Sequence, residues 1–223
     1  MRETAVLDRV KDGYTTGARS LASRWIVGLT RTRVTPNALT ASGVTLCLAA
    51  SVSVFFEYRG PWLFYWVGAV LFVVGSILDI LDGALARAGG KATPFGAFLD
   101  STTDRVGEGA MLGAIALVFH RHDQAAAIAL TFAAVVGSFL VSYTRAKAEA
   151  LGLRGDVGFG SRAERVVVIT AGLVLAPLSI WLLVAAIGLL TATAWSTVLQ
   201  RILHVRTQLL SPGGSTTNDS DER

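Results

Sequence analysis

Four stretches of this chain carry no charged side chain: residues 38–56, 62–78, 125–144 and 166–200. About 20 apolar residues in a helix rising 1.5 Å each cross a hydrocarbon core of ~30 Å. Runs of this length therefore constrain the fold more than anything else here, because they read as membrane-spanning helices. The composition agrees: 52% of the 223 residues are hydrophobic and only 16% are charged, where a soluble domain carries about a quarter. The last run, 35 residues long, would overshoot the core as one helix even with tilt. It reads as two spans joined by a tight turn near Pro177, with the flanking arginines snorkelling at each end.

Polar breaks separate the runs. Thr35-Pro36-Asn37 opens the first span, with Thr35 or Asn37 as its cap. Glu57-Tyr58-Arg59-Gly60-Pro61 is a turn, and Trp62 starts the second span at the interface. That span continues as a helix through Asp79 and Asp82 to about Arg87, and the Gly/Pro-containing stretch 88–94 is a loop. A third helix starts near Phe95, carries Asp100, Asp104, Arg105 and Glu108, and turns apolar over 109–119. Residues 120–124 form the next break, and His120 and His122 read as solvated there. The charged segment 145–165 follows the fourth span. The predicted fold is an all-α integral membrane protein with six transmembrane helices over residues 35–207. Residues 1–34 have no cleavable-signal pattern. Their apolar positions recur every three or four residues with Arg and Lys between, which predicts an amphipathic helix lying in the membrane interface or, alternatively, packed on the bundle. Residues 208–223 read as a disordered polar tail.

The net charge of +4 does not indicate nucleic acid, because its distribution has a better explanation. Of the 20 Lys and Arg residues, all but Arg59 and Arg121 fall on one side of a six-span topology. Basic residues collect on the cytoplasmic side, so both termini are expected there. Cys47, the sole cysteine, lies in an apolar run and reads as a packing residue.

Against this background the segment 79–104 stands out. Asp79 and Asp82 are three apart and Asp100 and Asp104 four apart, so each pair shares a helix face. A short loop makes the two helices antiparallel neighbours, and ionisable residues in a span point to a functional site. Together the four carboxylates would repel one another and take up protons unless a cation joined them. Oxygen ligands without nearby Cys or His favour Mg²⁺, Mn²⁺ or Ca²⁺. Gly83 and Gly96 leave room beside the acids, and Arg87 and Lys91 suit phosphate oxygens. A second basic group, Arg145, Lys147, Arg154, Arg162 and Arg165, lies on the same predicted side. It fits a second phosphate-bearing substrate, or simply lipid headgroups.

The pattern Asp79-x2-Asp82-Gly83-x2-Ala86-Arg87-x8-Gly96-x3-Asp100-x3-Asp104 resembles the signature of the CDP-alcohol phosphotransferases, with every fixed position met. The resemblance covers nearly the whole chain. It implies transfer of a phosphatidyl group from a CDP-linked lipid to an alcohol, with release of CMP. It also implies that Asp79, Asp82, Asp100 and Asp104 hold two Mg²⁺ or Mn²⁺ ions and that Asp104 acts as general base. By the same resemblance Thr35, Pro36, Asn37, Gly83, Arg87 and Thr93 contact the CDP-lipid, and the protein is a homodimer of the cell membrane. Within the family, the segments 142–149 and 162–165 look most like bacterial phosphatidylinositol phosphate synthases. These use CDP-diacylglycerol and inositol 1-phosphate, whose phosphate Arg145, Lys147, Arg154, Arg162 and Arg165 would bind. Phosphatidylglycerophosphate synthases, which use glycerol 3-phosphate, tend to have Gly-Lys-x-Lys where this chain has Ala163-Glu164-Arg165. They and archaeal-type inositol phosphate lipid synthases are the alternatives.

Overall fold

The computed structural model describes residues 35–210, apart from 91, 156, 159 and 160. The expected N-terminal amphipathic helix, the tail beyond residue 210 and Lys91 lie outside the described residues. Those described form six α-helices and no strand: α1 (Pro36–Phe55), α2 (Pro61–Ala88), α3 (Pro94–Arg121), α4 (Ala125–Ala150), α5 (Arg162–Leu175) and α6 (Ile180–Leu210), with one 3₁₀ turn at Glu57–Arg59. Prolines at the first position of α1, α2 and α3 set the helix starts, where a missing N–H costs nothing. Thr35 Oγ1 accepts from Ala38 N (3.3 Å) and Thr93 Oγ1 from Gly96 N (3.0 Å), so threonines cap α1 and α3. Ser161 and Glu164 form a reciprocal capping box on α5. The break between α5 and α6 falls at residues 176–179, around Pro177.

Among the described residues, α1, α2, α4 and α6 are long and apolar enough to cross a membrane. The other two expected spans differ for physical reasons. Helix α3 has 28 residues but carries four charged residues, Asp100, Asp104, Arg105 and Glu108, before it turns apolar. Helix α5 has only 14 residues, roughly 21 Å of rise.

The chain divides into two compact units, one built from the segments through Ala49 and Leu71–Glu108, the other from Ala50–Val70 and Gly109 onward. In the first, α1 meets α2 through glycine on both sides. A Cβ on Gly75 would lie 2.7 Å from Gly43 O and 2.9 Å from Cys47 Sγ, and one on Gly43 would lie 3.0 Å from Gly75 O. Cys47 is buried and also abuts Gly107 of α3. Small residues thus let three backbones approach closely, as in other membrane helix pairs, and Cys47 is the packing residue its surroundings suggest.

In the second unit α6 packs on both α4 and α5. Gly137 faces Ala194 and Trp195, and Gly172 faces Ala186 and Leu183. The Trp195 indole donates to Ala133 O (3.1 Å). At the other turns of this unit, Glu57 is buried and pairs with Arg121 (3.2 Å), which also donates to Phe55 O (2.6 Å). His122 is exposed, as expected, with its Nε2 3.7 Å from the same Glu57 oxygen. The arginines flanking the 35-residue run do not snorkel. Arg165 and Arg201 are both buried, and Arg201 donates to Val157 O (2.9 Å) and to Val141 O. The loop after α4 and α4 itself thus supply Arg201 with acceptors that water would otherwise provide.

Candidate active site

The site lies in the first unit. The second half of α2 presents Asp79, Asp82, Gly83 and Arg87, and the first half of α3 presents Gly96 and Asp100. One carboxylate oxygen each from Asp79, Asp82 and Asp100 lie within 4.8 Å of one another. Asp79 and Asp82 are buried and Asp100 is half-buried. Three carboxylates at this separation in low dielectric repel strongly unless a cation joins them.

The donor set fits a hard divalent cation. Asp82 Oδ2 accepts a hydrogen bond from the Thr40 hydroxyl of α1, while Asp82 Oδ1 is buried without a hydrogen-bond partner. Carboxylate oxygens alone suit Mg²⁺ or Mn²⁺. Asp104 follows one helical turn after Asp100 and stands outside this three-acid group. Its Oδ2 lies 3.8 Å from Arg105 Nη1, and Glu108, a further turn on, is buried.

Beside the acids is a pocket lined by Pro36, Asn37 and Thr40 of α1, Asp82, Gly83, Ala86 and Arg87 of α2, Ala92 and Thr93 of the loop, and Gly96, Ala97 and Asp100 of α3. Five of the six residues expected at the CDP-lipid therefore share one cavity: Pro36, Asn37, Gly83, Arg87 and Thr93. Thr35, the sixth, caps α1. The Arg87 guanidinium folds back along α2, so that a Cβ on Gly83 would lie 3.4 Å from its Nη1. The missing side chain at Gly83 lets that cation lie beside the carboxylates.

The second basic group is in the other unit, and its members differ. Arg145 and Lys147 are exposed near the end of α4, and Arg145 Nε donates to Glu149 Oε1 (2.8 Å). Arg154 is exposed on the following loop. The Gln208 side chain accepts from its backbone N–H (3.0 Å) and donates to its carbonyl (2.8 Å). Arg162 is half-exposed in the first turn of α5, whereas Arg165 is buried.

Sequence reasoning missed Thr40 and Gln208. Thr40 left one signal: it is a polar residue inside an apolar run, three positions after Asn37 and so on the same helix face. Gln208 left none, because its partner is 54 residues away and is backbone.

An all-helical protein with apolar spanning helices and a three-carboxylate, phosphate-compatible pocket belongs among membrane enzymes that use divalent cations. The family model for CDP-alcohol phosphatidyltransferase matches residues 33–204. The phosphatidylinositol phosphate synthase of Mycolicibacterium smegmatis is 36% identical over 188 residues, 82% of this chain and 81% of that protein. The archaetidylinositol phosphate synthase of Pyrococcus horikoshii is 35% identical over 178 residues, 79% of this chain and 86% of that one. The crystal structure of Mycobacterium tuberculosis phosphatidylinositol phosphate synthase with CDP-DAG bound superposes with a TM-score of 0.74 at 31% identity, covering 90% of this chain and 99% of that chain. The same enzyme with manganese and citrate gives 0.74 at 32% identity, covering 89% and 93%. The chain belongs to the CDP-alcohol phosphatidyltransferase family.

Proposed function

We propose that this protein transfers the phosphatidyl group of CDP-diacylglycerol to inositol 1-phosphate, releasing CMP and forming phosphatidylinositol phosphate. The observation that carries the reading is the meeting of Asp79, Asp82 and Asp100 beside a pocket containing Arg87, Asn37 and Thr93. The names of the relatives support the choice of acceptor: both the bacterial and the archaeal one are inositol phosphate lipid synthases.

Asp79, Asp82 and Asp100, joined by Asp104, would hold two Mg²⁺ or Mn²⁺ ions. Such ions, when bound, neutralise the pyrophosphate and make CMP a better leaving group. Arg87 stands ready for pyrophosphate oxygens, as a guanidinium suits, and the glycine at 83 admits the donor to the acids. Asn37 and Thr93 line the same pocket and would offer polar groups to the CDP moiety. Asp104 would take the proton of the inositol hydroxyl as its oxygen attacks the lipid-side phosphorus. That P–O bond forms while the bond to the CMP oxygen breaks, and no covalent enzyme intermediate is needed. Arg145, Lys147, Arg154, Arg162 and Arg165 would bind the acceptor phosphate, with the exposed Arg145, Lys147 and Arg154 making direct contact most readily. In the membrane we read six crossings, with α3 and α5 as the two less apolar ones, and both termini cytoplasmic by the distribution of Lys and Arg. The small residues of α4 (Ala133, Ala134, Gly137, Ser138) suit close helix packing, and a homodimer is the expected assembly.

The test is CMP release by purified protein in detergent with CDP-diacylglycerol, inositol 1-phosphate and Mg²⁺ or Mn²⁺. One CMP per phosphatidylinositol phosphate is expected. No CMP release with any phosphorylated alcohol would overturn the reading.

A further inference from the structure

We infer that Thr40 is a positioning residue for the cation site: its hydroxyl holds one oxygen of Asp82 so that the other is left for the divalent ion. The inference rests on the proposed cation-binding role of the three aspartates. Thr40 sits on α1, is 5% exposed and lies 42 residues from Asp82 in the chain. Its hydroxyl has one proton and two acceptors in reach. Pro36 O is 3.1 Å away and Asp82 Oδ2 is closer. A carboxylate is the stronger acceptor, so the proton goes to Asp82. The consequence is an asymmetric carboxylate, with Oδ2 satisfied by α1 and Oδ1 buried and without a hydrogen-bond partner. The terminal torsion of an aspartate is broad and two-fold, and the Thr40 bond selects one orientation of it.

The bond is not needed to join the helices. One turn further along α1, Gly43 already meets the α2 backbone at Gly75, and Cys47 continues that contact. Removing the hydroxyl while keeping the shape should therefore spare the fold and loosen the ligand. Partners of metal-ligating carboxylates contribute about 10–100-fold in affinity.

The test compares wild type, Thr40→Val and Thr40→Ser in detergent. Mn²⁺ affinity is measured by the loss of the free-ion electron paramagnetic resonance signal, without substrate. The expected result is Mn²⁺ bound about 10–100-fold more weakly by Thr40→Val, with near wild-type affinity in Thr40→Ser and one unfolding temperature for all three in metal-free buffer. Equal affinity in Thr40→Val and wild type overturns the inference and leaves the cation site standing. Equal loss in Thr40→Ser also overturns it, because shape and not the hydroxyl would then matter. Unchanged Mn²⁺ affinity with a raised KM for CDP-diacylglycerol would make Thr40 a substrate contact instead. Failure of the wild type to bind Mn²⁺ would overturn the cation reading itself.

Discussion

Replacing Gly75 by alanine tests how the helix crossing supports the site. The new Cβ would lie 2.7 Å from Gly43 O, 2.9 Å from Cys47 Sγ and 3.2 Å from Cys47 N. Two of those three atoms are α1 backbone and cannot rotate away. Ordinary contact begins at 3.4 Å, so α1 and α2 would have to separate locally by about 0.7 Å, an overpacking that costs ~1–3 kcal/mol. Alanine also gains roughly 0.5–1 kcal/mol over glycine in a helix interior. Gly113→Ala supplies the control for that gain, because its Cβ would meet nothing within 4 Å. The difference between the two variants isolates the clash. At about 2–4 °C per kcal/mol for a chain of this size, Gly75→Ala should unfold roughly 2–12 °C below Gly113→Ala in the same detergent. Asp79 lies one turn beyond Gly75, and its Cβ would be 3.6 Å from a Cβ on Gly43. The displacement therefore reaches the carboxylates, and turnover should fall by about tenfold or more, since ~1 Å of misplacement can cost 10²-fold. Gly75→Ala that unfolds no lower than Gly113→Ala and turns over normally would refute the argument that this crossing sets the site.

Two other substitutions separate roles within the proposed mechanism. Asp104→Asn should lower turnover by about 10²–10⁴-fold, the usual contribution of a general base, while equilibrium binding of CDP-diacylglycerol stays near wild type; a wild-type rate would remove Asp104 from that role. Gln208→Ala removes both hydrogen bonds that hold the Arg154 backbone. At about 0.5–1.5 kcal/mol per bond, the loss of two should raise the KM for inositol 1-phosphate by roughly fivefold to 150-fold with the KM for CDP-diacylglycerol unchanged, and steady-state kinetics with each substrate varied in turn would expose any other pattern.

What could be read without coordinates was what depends on local chain geometry. Pro36, Pro61, Pro94 and Pro177 mark the helix breaks because proline lacks an N–H and fixes its own φ. The spacing of Asp79 with Asp82 places both on one face, and the short loop after α2 returns α3 beside it, so convergence with Asp100 followed from sequence. Pairings across long separations were hidden. Thr40 meets Asp82 only because glycines at 43 and 75 set the register of two helices, and neither glycine names its partner. Glu57 and Arg121 are 64 positions apart, and each alone looks like an ordinary loop charge. Arg165 and Arg201 fit the expectation for interfacial arginines by position alone. Both are buried, and Arg201 finds acceptors on Val157 and Val141, 44 and 60 positions away, which composition could not place. Asp104 shares its helix face with Asp100, yet it stands outside the three-acid group and beside Arg105. Helical spacing fixes a face, but not which of two acids on that face comes close to Asp79 and Asp82.

The account is tested most directly by presenting the purified protein with CDP-diacylglycerol and Mn²⁺ and offering inositol 1-phosphate, glycerol 3-phosphate, serine and free inositol in parallel, with CMP as the readout. CMP release with inositol 1-phosphate alone, abolished by a chelator and restored by Mn²⁺ or Mg²⁺, is the predicted result. Release with glycerol 3-phosphate alone would contradict the assigned acceptor, and release that survives the chelator would contradict the role given to Asp79, Asp82 and Asp100.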